Sequence, residues 1–115
     1  MAEDFTMYAG DDKRLEVTVL DEDGVAVTLA GAQAIKWKLA KSPRSAVIAS
    51  HSLVDGNVSV INAAAGRFNV LIDPADTESL SGLYYHEAEL TDSTGAVGTC
   101  MAGTVTIRPT LIDPT

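Results

Sequence analysis

Two histidines, His51 and His86, and one cysteine, Cys100, are the residues of this 115-residue chain best suited to shuttle a proton, attack a substrate or hold a soft metal. His51 stands among serines in Ala49-Ser50-His51-Ser52, a weak strand or loop beyond Pro43. No Gly-x-Ser-x-Gly elbow or comparable context turns one of those serines into a nucleophile, so a Ser-His-Asp site would have to be assembled from distant loops. His86 falls on the inward face of an alternating segment and reads as a core imidazole. Cys100 has no Cys-x-x-Cys partner and no obvious basic neighbour to stabilise a thiolate, so it reads as an inert thiol. Hard oxygen donors are more plentiful: Asp11, Asp12, Asp21 and Asp23 are of the kind calcium takes. Residues 21–24 nevertheless lack the third acid and the closing Glu of an EF-hand loop. His-x-His pairs, Cys–His clusters and a glycine-rich phosphate loop are absent from the sequence. The reading is no catalytic, cofactor-binding or metal residue, with calcium at the acidic hairpin 21–24 left open.

The segments that must position these residues alternate with a period of two, and no long stretch has helical periodicity. Leu15, Val17 and Val19 alternate with Glu16 and Thr18, and Ile35, Trp37 and Leu39 with Lys36 and Lys38. Val58 and Val60 bracket Ser59, and Phe68, Val70 and Ile72 share a face. Tyr84, His86, Ala88 and Leu90 lie opposite Tyr85, Glu87 and Glu89, and Val105 and Ile107 alternate with Thr104 and Thr106. Each reads as a half-buried antiparallel strand. Glycine-closed turns at residues 21–24 and 92–95 separate them, with further punctuation at Gly56, at Gly66 and in the Pro43 loop. The one helical turn is expected near 74–80, with Asp73 as cap and Pro74 at the first position. Trp37 sits mid-strand, where sandwich domains bury an indole between sheets. Leu80-Ser81-Gly82-Leu83-Tyr84 has the layout of a tyrosine corner, and His86 stands where antibody domains place their second cysteine. The pattern predicts an all-β, immunoglobulin-like antiparallel sandwich of roughly seven to nine strands. In it the Trp37 strand pairs with the Tyr84 strand, setting Lys36 and Lys38 against Glu87 and Glu89.

A mass of 12.0 kDa fits one domain over residues 1–115, and 46% hydrophobic with 21% charged residues suits a compact fold. The net charge of −8 argues against nucleic acid, and no apolar run approaches the roughly 20 residues of a membrane helix. The start has neither a basic nor an apolar signal region, and the lone cysteine suits a reducing cytoplasm. Residues 1–24 are acidic, whereas residues 33–51 carry Lys36, Lys38, Lys41 and Arg44 with no acid. The acidic end and the basic middle could meet between copies. Segments 1–9 and 109–115 hold Phe5, Met7, Tyr8, Leu111 and Ile112, and read as arms or edge strands.

Several stretches together resemble small phage immunoglobulin-like proteins, similar to the N-terminal domain of upper baseplate proteins of tailed phages. They are Gly10-Asp11-Asp12, the run from Val17 to Gly24, Leu29-Ala30-Gly31-Ala32 and Ile35-Lys36-Trp37-Lys38-Leu39. The run from Ala64 to Ile72, Leu80-Ser81-Gly82-Leu83-Tyr84-Tyr85-His86-Glu87 and Gly103-Thr104-Val105-Thr106-Ile107 extend the resemblance over roughly residues 10–108. It implies a non-enzymatic structural protein of a phage or prophage particle, assembled in the bacterial cytoplasm. Its partners would be copies of itself and other virion proteins, with no nucleic acid, no membrane and no cofactor. Tail, baseplate, neck and capsid surface all remain open as its place. The alternative is a carbohydrate- or receptor-binding module on the same fold. With Trp37 in the core, Tyr8 and Tyr85 are the chief aromatics left to stack on a sugar. A hydrolase has least support, since it needs His51 or His86 within reach of a serine or carboxylate.

Overall fold

The computed structural model describes residues 4–109. The strands are β1 (Phe5–Tyr8), β2 (Lys13–Thr18), β3 (Ala34–Ala40), β4 (Val47–Ser52), β5 (Val58–Asn62), β6 (Arg67–Ile72), β7 (Gly82–Thr91) and β8 (Val97–Arg108). A single helical turn, α1 (Pro74–Thr77), bridges β6 and β7. They form a five-stranded sheet of order β1-β8-β7-β3-β4 and a three-stranded sheet of order β2-β6-β5. The all-β sandwich expected from the alternation is therefore present. Trp37, Phe68, Ile35, Val17, Val70 and Ala88 are fully buried between the sheets, each from the inward set of its strand.

The anchors occupy their expected places. The Tyr84 hydroxyl donates to the Ser81 carbonyl at 3.2 Å, closing the corner ahead of β7. Trp37 Nε1–H donates to His86 Nδ1 at 3.0 Å in the core. An indole N–H can only donate, so Nδ1 accepts and the neutral His86 ring carries its proton on Nε2. Phe5 meets the His86 ring edge-on at 5.2 Å. β3 pairs with β7 in the register that sets Lys36 against Glu89 and Lys38 against Glu87.

Two features depart from the sequence reading, the direction of β1 and the start of β8. The sheet is not wholly antiparallel, because β1 runs parallel to β8. Nearly the whole chain separates these strands, so no hairpin dictates their direction. Residues 5–8 are an edge strand, one of the two forms expected of that segment, while Leu111 and Ile112 lie outside the described residues. Residues 47–52 form an edge strand interrupted by one extra residue, so of the weak strand or loop expected around His51 the strand is present. β8 starts at Val97, well before its visible alternation, because the register slips between Ala88 and Glu89 and leaves Cys100 as the extra residue of a bulge.

Candidate functional site

His51 is the side chain around which polar groups converge. β4 sets it opposite Trp37, and the two rings stack at 5.9 Å with planes 8° apart. The chain then turns through Asp55, whose Oδ1 accepts the N–H groups of Ser52 at 3.2 Å and Asn57 at 2.9 Å. Its Oδ2 is left to meet His51 Nδ1 at 3.1 Å. From the far side α1 brings Asp76, whose Oδ2 accepts the Asp73 N–H at 2.9 Å and lies 2.6 Å from His51 Nε2. Asn57 Nδ2 donates to Asp73 Oδ2 at 2.8 Å. Three segments distant in sequence thus meet at one rim of the sandwich.

Electrostatics follow from that geometry. Burial disfavours a charged His51, whose side chain is 11% exposed, but the hydrogen bonds and charges of Asp76 and Asp55 outweigh it and raise its pKa above 6.5. Burial works against the Asp55 carboxylate too, yet the amides of Asn57 and Ser52 and the His51 ring hold its pKa below 3.8. Both ring nitrogens face carboxylates, which describes an imidazolium rather than a base waiting for a nucleophile's proton. No serine hydroxyl bonds to His51 among the described residues. One donor atom from each of His51, Asp73 and Asp76 lies within 4.8 Å of the others.

The sequence named His51 but not its partners. Asp73 was read only as the cap of α1, and Asp55 and Asp76 were not read as site residues. Their spacing from His51 has no local motif, so no sequence signal marks the meeting.

The other candidates have structural employment. Asp21 Oδ1 accepts the N–H groups of Asp23 and Val25, both at 2.9 Å, and so braces its own turn. Asp92 Oδ1 does the same for Thr94 and Ala96 in the turn before β8. Asp11 and Asp12 are exposed beyond β1, and neither joins Asp21 or Asp23 in a donor cluster among the described residues. His86 is wholly buried on Trp37. The Cys100 thiol donates to the Ala88 carbonyl at 3.5 Å, and burial pushes its pKa up to about 11.

The outward face of the five-stranded sheet mixes exposed apolar, hydroxyl and charged side chains. Leu83 of β7 is 57% exposed and Tyr8 of β1 52% exposed, with Thr6, Thr104 and Thr106 among them. Tyr85 donates to Glu87 Oε2 at 3.2 Å; burial, then that carboxylate, raises its phenol pKa. The register places Tyr8 beside Arg108 and Tyr85 beside Thr104. That separates the two rings by about 16 Å at ordinary strand spacing and rise.

No protein-family model matches the chain, and no curated protein matches it. No helix among the described residues is long and apolar enough to cross a membrane.

Proposed function

We propose that this chain is a non-enzymatic structural component of a phage or prophage particle, working by protein–protein association. The observation that carries the association is the open face of the five-stranded sheet. The solvent side of an antiparallel sheet is ordinarily polar. Here β1, β8 and β7 present Leu83 and Tyr8 amid threonines, and β3 continues the face with lysines set against the glutamates of β7. At ordinary strand spacing and rise the strands of this face, from the four residues of β1 to the twelve of β8, cover on the order of 600 Å², somewhat less than the roughly 800 Å² each partner contributes to a standard interface. The apolar and hydroxyl-rich end of the face, at β1, β8 and the start of β7, supplies the contact, and the charged residues of β3 and β7 lie beside it.

The strand order supports an immunoglobulin-like sandwich. β8, β7, β3 and β4 follow the G-F-C-C′ succession, facing a B-E-D set made by β2, β6 and β5. The phage assignment itself rests on the sequence resemblance over residues 10–108. A sugar platform draws less support, because Tyr8 and Tyr85 stand too far apart to stack on one ring.

Light scattering at low and high salt tests the reading. Association through this face gives an oligomer whose mass barely changes with salt. Contact between the acidic end and the basic middle would instead dissolve in salt. A monomer under both conditions at high concentration overturns self-association.

A further inference from the structure

We propose that His51, Asp73 and Asp76 form a binding site for a first-row divalent transition-metal ion at the rim between β4 and α1. The donors are one imidazole nitrogen and two carboxylates within 4.8 Å of one another, all partly buried. A borderline ion such as zinc accepts this mixed nitrogen and oxygen set, at bond lengths near 2.0–2.2 Å.

Three features raise the cluster above a chance meeting of acids. First, the ligand ring is already fixed: Trp37 stacks on its face and Asp55 holds Nδ1, so Nε2 points at Asp76. A carboxylate on the far ring nitrogen is the usual outer support of a metal-bound histidine. Second, the supports are themselves held, Asp55 by the N–H groups of Ser52 and Asn57, and Asp73 by the Asn57 amide. Asp76 uses only Oδ2 in these bonds, so Oδ1 is at hand for a metal. Third, three carboxylates surround a single imidazole. Even with that ring charged the group carries −2, and no Lys or Arg lies within 4 Å of it among the described residues.

Binding proceeds by one exchange. The ion forms bonds to His51 Nε2 and to one oxygen each of Asp73 and Asp76, and the Nε2–H proton leaves to solvent. The other proton stays on Nδ1, which goes on donating to Asp55 Oδ2. Donors around a metal sit about 3.0–3.4 Å apart, given bonds of that length. The 2.6 Å contact between His51 and Asp76 therefore opens slightly while Asp73 closes in. Water fills the remaining positions.

The test uses the full chain, tag-free and stripped of metal, titrated with Zn²⁺ by calorimetry at pH 7 in two buffers of different ionisation enthalpy. The expected result is saturable binding of one ion with proton release, and a shift of the His51 Nε2 resonance in ¹⁵N spectra. Asp73→Asn keeps a good helix cap, so it should stay folded while binding at least about tenfold more weakly. Ca²⁺ at the same concentration should leave His51 unmoved, because it prefers oxygen. Absence of saturable Zn²⁺ binding at hundredfold excess overturns the proposal. Binding that leaves the His51 resonance in place, or that survives unchanged in both Asp73→Asn and His51→Gln, overturns it equally.

Discussion

His51 shows how one side chain can be set by neighbours that the sequence keeps far apart. In metal-free buffer its charged form links the β4 rim to α1 through Asp76 and to its own loop through Asp55. Its pKa is raised above the unfolded value of 6.5, so its stabilising contribution is complete below that pH and fades as pH rises through the folded pKa. Asp55, lowered from 3.8, acts in the opposite sense: its contribution is present above that value and lost as pH falls through the folded pKa. The stability advantage of the native chain over His51→Gln should therefore peak between about pH 4 and 6.5, given ordinary unfolded-state values. It should shrink towards pH 9. Urea midpoints of both proteins in EDTA across that range measure it, and a pH-independent difference would contradict a charged His51.

Elements formed by local alternation were legible in the sequence, as was the pairing of β3 with β7, whereas other features set by long-range pairing were not. Leu15 and Val17, or Phe68 and Val70, announce their strands because a period of two is written within each segment. The direction of β1, the bulge at Cys100 and the meeting of His51 with Asp76 depend on segments that no local window contains. Similar slips leave Ile48 of β4 and Ile61 of β5 as extra residues. These bulges blunt two sheet edges, charges on β2 blunt a third, and β1 is only four residues long. Association by strand addition is thereby discouraged, which leaves the sheet face as the better route. Turns carry their own test. Gly24 and Gly66 both have positive φ, at +80° and +69°, but a Cβ on Gly66 would lie 2.6 Å from the Val27 carbonyl oxygen, whereas one on Gly24 meets nothing within 4 Å. Gly24→Ala should cost about 1–2 kcal/mol from strain alone, and Gly66→Ala upwards of about 3 kcal/mol because backbone must also shift. Equal losses in denaturation experiments would refute the close packing of the 19–27 segment over the β5–β6 turn.

At the scale of the whole molecule, folding redistributes the charge seen along the chain. The basic middle does not survive as a patch, because β7 brings Glu89 and Glu87 opposite Lys36 and Lys38, and Lys41 lies over the Tyr84 ring at 4.6 Å. Among the described residues the only ion pairs within 4 Å belong to His51, so those lysines and glutamates neutralise one another's field without locking together. A surface of this kind associates through shape and apolar contact more than through steering by opposite charge. On that face Leu83 is 57% and Val97 of β8 62% exposed, whereas Val54, 97% exposed, lies in the β4–β5 loop away from it. The most direct measurement is the solution mass, by light scattering at one concentration, of the native chain, Leu83→Lys and Val54→Lys. Association through the open face predicts oligomers for the native chain and Val54→Lys, and for Leu83→Lys a monomer that keeps the native far-UV circular dichroism. The same mass for all three proteins, whether monomer or oligomer, would contradict it.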